Sequence, residues 1–413
     1  MSVLDMNKSR TATTFFSVVL LVCIIFAYTL PEPVAGNPLW EDAPPKPEQI
    51  YIQSDGAIEP STVPIQRSGS TYTFTSSIFN ASLIIKANDI VIDGAGFVLQ
   101  GTGQNNGFQN IFFEGISIAN VQNVTVKQLE IRDFDFGLMI TESSKISLVE
   151  SEVFETIRIG SSSAECKITG NSLSRVEVQG TQNTISNNDF TLPNSHLHVE
   201  NDGNTIDGNL IYGSIRLALS RNNVVSNNNL SLGLMGIEIS ASSSHNEIFG
   251  NQIAHTDGYG LLISNSFENT IYNNKISNTP IGIYLTEMSS NYGYSNTTNN
   301  LFYRNTLTEN AQNIRINGEF GNLWDNGEEG NHWSDYNGTD LNNDGIGDTP
   351  YVIGTHNTGN YPLMQPLINQ ELPNNNSAQD TGLFSLGPIL AALGIAFTVV
   401  IVGLLVYFKR RLP

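Results

Sequence analysis

The hydrophobic positions of this chain fall in short bursts, and the bursts recur. The phrase Asn-x-apolar-x-x-Asn-x-apolar reads NTISNNDF from Asn183, NTIDGNLI from Asn204 and NVVSNNNL from Asn223. It returns as NEIFGNQI from Asn246, NTIYNNKI from Asn269 and NLFYRNTL from Asn300, with a weaker copy, CKITGNSL, from Cys166. Successive starts lie 17, 21, 19, 23, 23 and 31 residues apart. A second phrase precedes the later copies: GIEIS at Gly236, GLLIS at Gly260 and GIYLT at Gly282, with FGLMI at Phe136 as a relative. The runs are short, β-branched and broken by Gly or Asn, which predicts strands and turns; the 3.6-residue patterning of a helical solenoid is absent. A coil of this length holds three short strands and three turns. Stacked coils pair each strand with its copies about 4.8 Å above and below, and their apolar positions merge into one interior. From Asn88 to Trp324 this predicts roughly eleven coils and a rod on the order of 50 Å long.

The repeated Asn has a structural task in such a stack. Asn tolerates the left-handed backbone of a tight turn. Its amide can also donate to one neighbouring coil and accept from the other, forming a ladder.

Two longer apolar runs flank the repeats. Phe15 to Leu30 follows Lys8 and Arg10 and precedes Pro31, Pro33, Val34, Ala35 and Gly36. Cationic-then-apolar order marks a secretory signal. Pro388 to Phe408 has the length to cross a bilayer, and Lys409, Arg410 and Arg411 after it predict a cytoplasmic end. The expected divisions are a signal segment (1–36), a linker and N-terminal cap (37–87) and the repeats (88–325). A closing module (326–370), a stalk (371–382), a membrane helix (383–408) and a cytoplasmic tail (409–413) complete the chain. The expected localisation is the cell surface, with the repeats outside.

Composition narrows the partners. Of 413 residues, 39 are Asp or Glu against 19 Lys or Arg, a formal charge of -20. That balance disfavours nucleic acid, which needs clustered cations. Cys23 lies in the signal run, so Cys166 is left without a partner for an intrachain disulfide.

The ends of the repeat region carry a resemblance. NDIVIDGAGFVLQG from Asn88, with IYIQSDGAIEP from Ile50 and TYTFTSSI from Thr71 before it, resembles the opening of the NosD-like parallel β-helix family of cell surfaces, common in archaea. NHWSDYNGTDLNNDGIGDTPYVI from Asn331 and NYPLM from Asn360 are similar to its closing module. The resemblance implies an all-β, right-handed, single-stranded parallel β-helix of the pectin-lyase-like kind. In the namesake branch it also implies copper delivery. The same fold hosts polysaccharide lyases, hydrolases and epimerases, and fold alone does not choose among them.

Candidate chemistry is sparse. Asp340, Asn342, Asp344, the carbonyl of Ile346 and Asp348 read as D-x-N-x-D-G-x-x-D, a spacing that suits calcium. It departs from an EF-hand at Tyr351, where a bidentate Glu is expected; a ligand such as Asp335 would have to substitute. A plain Asx-turn loop is the alternative. For copper, His196 and His198 alternate along a strand and share a face, while His245, His255, His332 and His356 are scattered. Asp133, Asp135, Glu150, Glu152 and Glu155 cluster without an evident basic partner and read as a solvated face. Trp324, Trp333, Tyr336, Tyr351 and Tyr361 read as a plug for the open end of the core. Glycosylation sequons begin at Asn80, Asn123, Asn229, Asn296, Asn337 and Asn375. The functional reading is a non-catalytic, membrane-anchored surface protein that binds a glycan or a neighbouring protein. A polysaccharide-active enzyme and a copper-delivery protein stay open beside it. Two carboxylates and a cation lining one cleft on adjacent coils would favour the enzyme.

Overall fold

The structure is a computed structural model that describes residues 45–104, 111–287 and 296–366. The signal, stalk, membrane-helix and tail segments lie outside the described residues. No helix occurs among the described residues; the chain winds as a right-handed parallel β-solenoid.

Each coil lays down three strands. One coil runs Glu247–Phe249, Gln252–Ala254 and Tyr259–Ser264, and the next runs Thr270–Tyr272, Lys275–Ser277 and Ile281–Thr286. The first strand of every coil stacks into a twelve-stranded wall, parallel throughout except for the opening pair Ile65–Ser68 and Thr71–Phe74. The other two walls merge into one 23-stranded sheet. They merge because Glu152–Ile159 and Ser172–Val178 turn the corner without a break: Val153 pairs with Ile131 on one wall, Arg158 with Met139 on the other. Parallel pairing is already present at Glu48–Ile52 and Ala81–Ile85, N-terminal to Asn88.

The repeated phrase now has a residue-by-residue account. In NEIFGNQI, Ile248 and Ile253 point inward and are 1% exposed. Asn246 and Asn251 are fully buried at the two corners. They belong to two ladders that climb the stack. In one, the main-chain N–H of Asn183, Asn204, Asn223, Asn246, Asn269 and Asn300 donates to the Oδ1 of the next Asn, at 2.8–3.1 Å, ending on Asn322. In the other, Asn171, Asn188, Asn209, Asn228, Asn251, Asn274 and Asn305 do the same, ending on Asn331. Side-chain Nδ2 groups reach back to carbonyls of the preceding coil, as Asn251 does to Val225. The buried Asn amides of the two ladders are thereby satisfied.

The sequence expectation gave one Asn two tasks; the structure divides them. The left-handed residue is the one before each donating rung: Gln182, Gly203, Asn222, His245, Glu268 and Asn299 on one ladder, and Gly170, Asn187, Gly208, Asn227, Gly250, Asn273 and Arg304 on the other. A rung needs the amide, so it is Asn. The preceding turn needs only a tolerable positive φ, so Gly, Asn and longer polar residues share it.

Gly of the second phrase is fixed by close approach. A Cβ on Gly260 would sit 2.3 Å from Ile276 Cγ2 and 2.7 Å from the Gly282 carbonyl oxygen. Cys166 is buried and unbridged, and burial pushes its thiol up to about 11.

Both ends are closed. Arg67 lies over the buried Tyr72 ring, and both donate to the Gly56 carbonyl. At the far end Phe302 stacks on Trp324, Trp324 leans on Trp333, and Trp333 stacks on Tyr351. Trp324 and Trp333 are each 1% exposed, so they cover the core as a plug must. Trp324 Nε1 donates to Asn357, which also accepts the N–H of Asn322 and so tops the first ladder.

Candidate functional site

The wall built from the longest strands carries a cleft of about 470 Å³. Its centre is the corner strand Glu152–Ile159. Val153 pairs with Leu173 and Thr156 with Arg175, so two residues, Phe154 and Glu155, stand opposite the single Ser174. The extra residue is a β-bulge, a device that re-aims side chains. Phe154 turns outward and is 40% exposed; Glu155 turns inward and is 8% exposed.

Glu155 Oε1 accepts the main-chain N–H groups of Asp133 and Phe134. Oε2 is buried without a hydrogen-bond partner. Burial pushes the carboxyl up to about 7, against the pull of those two donors, and the Asp133 carboxylate adds to the rise. Asp135, on the preceding coil, faces the same cleft and accepts the Phe113 N–H at 2.7 Å.

Cations complete the lining. Arg158 donates from Nε and Nη2 to Glu177 at 2.8 and 2.6 Å. Its guanidinium lies 4.4 Å over the Phe136 ring, which meets Phe112 edge-on at 5.5 Å. Phe112 is 52% exposed at the rim. Arg175 forms no salt bridge among the described residues. With Asn194 it also lines a second hollow of about 480 Å³, which holds His196, His198, Arg216 and Glu238. Arg216 pairs with Glu238 at 3.3 Å. The two hollows adjoin at Arg175 and Asn194, and each is lined from successive coils.

The sequence-predicted residues divide as follows. Asp133 and Glu150 are exposed, as a solvated face requires, but Glu155 is not, and Asp135 lines the cleft. For those two the expectation is corrected: the bulge turns Glu155 inward, and the register sets Arg158 and Arg175 on the lining of the cleft that Asp135 also faces. One signal was available. In EVFETIRI, strict alternation from Val153 to Ile157 places a Glu at an inward position.

His196 and His198 do share the outward face of His196–Val199. Across the strands they neighbour Arg175 and Glu177 on one side and Ser214 and Arg216 on the other. Burial lowers the pKa of both imidazoles. Arg175 and Arg216 stand beside the pair, and so do the carboxylates of Glu177, Glu200 and Glu238. His245 pairs with Glu268, and His332 contacts the Leu363 carbonyl, both away from the groove. No group of three or more His, Cys, Asp or Glu suited to a metal occurs among the described residues.

The closing loop is tightly wound. Asp340 accepts the N–H groups of Asp344 and Gly345 at 3.2 and 2.9 Å, Asp344 accepts that of Ile346 at 2.8 Å, and Asp348 that of Leu341 at 2.7 Å. Asn342 accepts the Asp344 N–H at 3.2 Å. Ile346 bridges to Leu363. The expected ligands are thus gathered in one loop, with their oxygens turned onto its own amides. Asp335, the expected substitute ligand, instead accepts the Tyr351 hydroxyl at 3.0 Å on both oxygens and the Asn313 amide at 2.8 Å. The Tyr351 hydroxyl is in turn held protonated by burial and that carboxylate.

Among solved structures, the A-module of Azotobacter vinelandii mannuronan C-5 epimerase AlgE6 is similar at 13% identity and a TM-score of 0.42, covering 67% of this chain and 87% of that one. The catalytic domain of a GH87 α-1,3-glucanase, as a single-residue variant in complex with tetrasaccharides, is similar at 14% and 0.45, covering 62% and 63%. A single-residue mutant of the periplasmic alginate epimerase AlgG is similar at 12% and 0.42, covering 67% and 82%. No curated protein sequence matches this chain. Residues 162–338 match the family described as periplasmic copper-binding protein (NosD). That match spans the Asn ladders and the coils they join, less than half of the chain, and these coils of the parallel β-helix are NosD-like.

Proposed function

We propose that the protein holds an extended polysaccharide in the groove of its long-strand wall, outside the cytoplasm. One observation carries the reading: exposed Phe112 and Phe154 rings border a cleft whose lining mixes carboxylates and guanidiniums from successive coils. Sugars offer apolar ring faces and hydroxyls. Aromatic rings meet the first, and charged side chains in fixed orientation meet the second. The groove runs across the coils, so it suits a chain rather than a single sugar. Residues 383–408 would tether this surface to a membrane.

Affinity electrophoresis against a panel of neutral and uronate polymers tests the proposal. At least one polymer is expected to retard the wild-type protein. Phe154→Ala and Arg175→Ala are each expected to weaken that retention about tenfold, the effect of losing about 1.4 kcal/mol. A panel that retards nothing, or variants that bind as wild type does, would sink the reading.

A separate structural proposal concerns the closing loop. A calcium ion held by Asp340, Asn342, Asp344, the Ile346 carbonyl and Asp348 would stabilise the plug. Adding calcium after chelation is expected to raise the melting temperature by several degrees for the wild type and not for Asp344→Ala. An unchanged wild-type melting temperature would leave an Asx-turn loop.

A further inference from the structure

We infer that the hollow centred on Arg175 recognises an acidic substituent, so that the polymer held in the groove is an acidic glycan bearing carboxylate or sulfate groups. The inference rests on the glycan reading above and deepens it, from a polysaccharide to a charged one.

The register of the long-strand wall carries it. Outward side chains of successive coils form rows in which cross-strand partners stand side by side. One row runs Met139, Arg158, Glu177, His198, Arg216 and Glu238. Its guanidiniums are committed within the row: Arg158 to Glu177 through two hydrogen bonds, Arg216 to Glu238 at 3.3 Å. The row beside it reads Phe136, Thr156, Arg175, His196 and Ser214, with no carboxylate along that stretch. Arg175 accordingly forms no ion pair and no side-chain hydrogen bond among the described residues. In a chain with 39 Asp and Glu against 19 Lys and Arg, a cation has acids in excess to pair with. A half-buried guanidinium left without one has given up hydration and gained nothing for it.

The surroundings suit a bound anion. The hollow holds two guanidiniums, Arg175 and Arg216, against the single carboxylate of Glu238. Glu177, beside it, is held by Arg158, and Glu200 accepts from Gln179 at 3.0 Å. Burial lowers the pKa of His196 and His198, so at pH 7 the surplus positive charge is that of Arg175. Asn194 and Ser214 add an amide and a hydroxyl, and Leu234, 64% exposed, gives a ring face an apolar surface. The parallel N–H groups of a guanidinium match the oxygens of a carboxylate or a sulfate. One surplus cation in a chain of charge -20 does not hold a nucleic-acid backbone, which needs a cluster. It reads a single acid group on a polymer that other contacts hold.

Affinity electrophoresis with the full-length protein provides the test. The probes are a glucuronate-bearing xylan, a sulfated galactan and the uronate polymers of the panel above. Each is paired with its carboxyl-reduced or desulfated form. At least one acidic polymer is expected to retard the wild type about tenfold more strongly than its neutralised form, and the pair that shows it names the acid. Arg175→Gln is expected to bind the acidic form as weakly as the neutral one, at the wild-type melting temperature. Arg175→Lys keeps the charge and is expected to keep part of the preference. Phe154→Ala is expected to weaken both forms alike and preserve their ratio. Lys145→Gln, exposed beside the twelve-stranded wall, should behave as wild type does. Equal retention of both forms in every pair, retention of neutral polymers alone, or an undiminished preference in Arg175→Gln overturns the inference and leaves the glycan reading standing. If no polymer is retained, both fall.

Discussion

Glu155→Gln is expected to make the protein more stable at pH 8 by about 2 to 3 kcal/mol, and to leave it unchanged at pH 4. The sign follows from proton binding. The folded carboxyl titrates near 7 and the unfolded one near 4.5. Between these values the folded state binds the proton more tightly, so stability falls as pH rises from about 4.5 to about 7, and the deficit persists above. Glutamine mimics the protonated acid and has no charge to bury. Its amide oxygen can still accept from Asp133 and Phe134. Urea midpoints for both proteins across that range check the claim; parallel curves would mean that Glu155 is solvated.

Neighbouring asparagines are expected to differ sharply on substitution. Asn228 is fully buried; its Oδ1 accepts from both the main chain and the side chain of Asn209, and its Nδ2 donates to the Ile206 carbonyl. Asn228→Ala leaves those buried groups without partners, at about 1 to 3 kcal/mol each, so a loss of about 4 kcal/mol is expected. Asn227, one residue earlier, has φ of 54° and one side-chain bond, to Asp207. Gly250 fills its position in the next coil with φ of 66°. Asn227→Gly is therefore expected to cost about 1 kcal/mol or less. Equal losses at the two positions, measured by denaturant unfolding, would contradict the division between rung and turn.

The solenoid was legible because its physics is local and repeated. Every coil restates the same inward Ile, the same corner Asn and the same tolerant turn, so the period shows through substitutions. The aromatic plug was legible for the same reason: a repeat must end, and Trp324 and Trp333 cluster where it does. What the repeats hid was their own asymmetry. Two asparagines five residues apart read as one motif, although each is preceded by a separate left-handed turn. The cleft was harder still. Coil lengths of 17 to 31 residues obscure which side chains share a row. Glu177 stands beside Arg158 only because a bulge at Phe154 and Glu155 sets the register between their strands. Asp135 and Glu155 therefore looked unpartnered when the chain was read along its length. The inward phase of Glu155 was visible in its strand; of the two cations that line the cleft, Arg158 shares that strand and Arg175 belongs to the next coil.

The glycan reading is tested most directly by a crystal structure of the protein soaked with an oligosaccharide of the polymer it retains. The account predicts sugar rings lying across the coils of the long-strand wall, one packed on Phe154, with Arg175 and Asp135 bonded to their substituents. Density confined to the opposite wall along Phe249, Tyr272 and Tyr303, or to the plug around Tyr361, would contradict it.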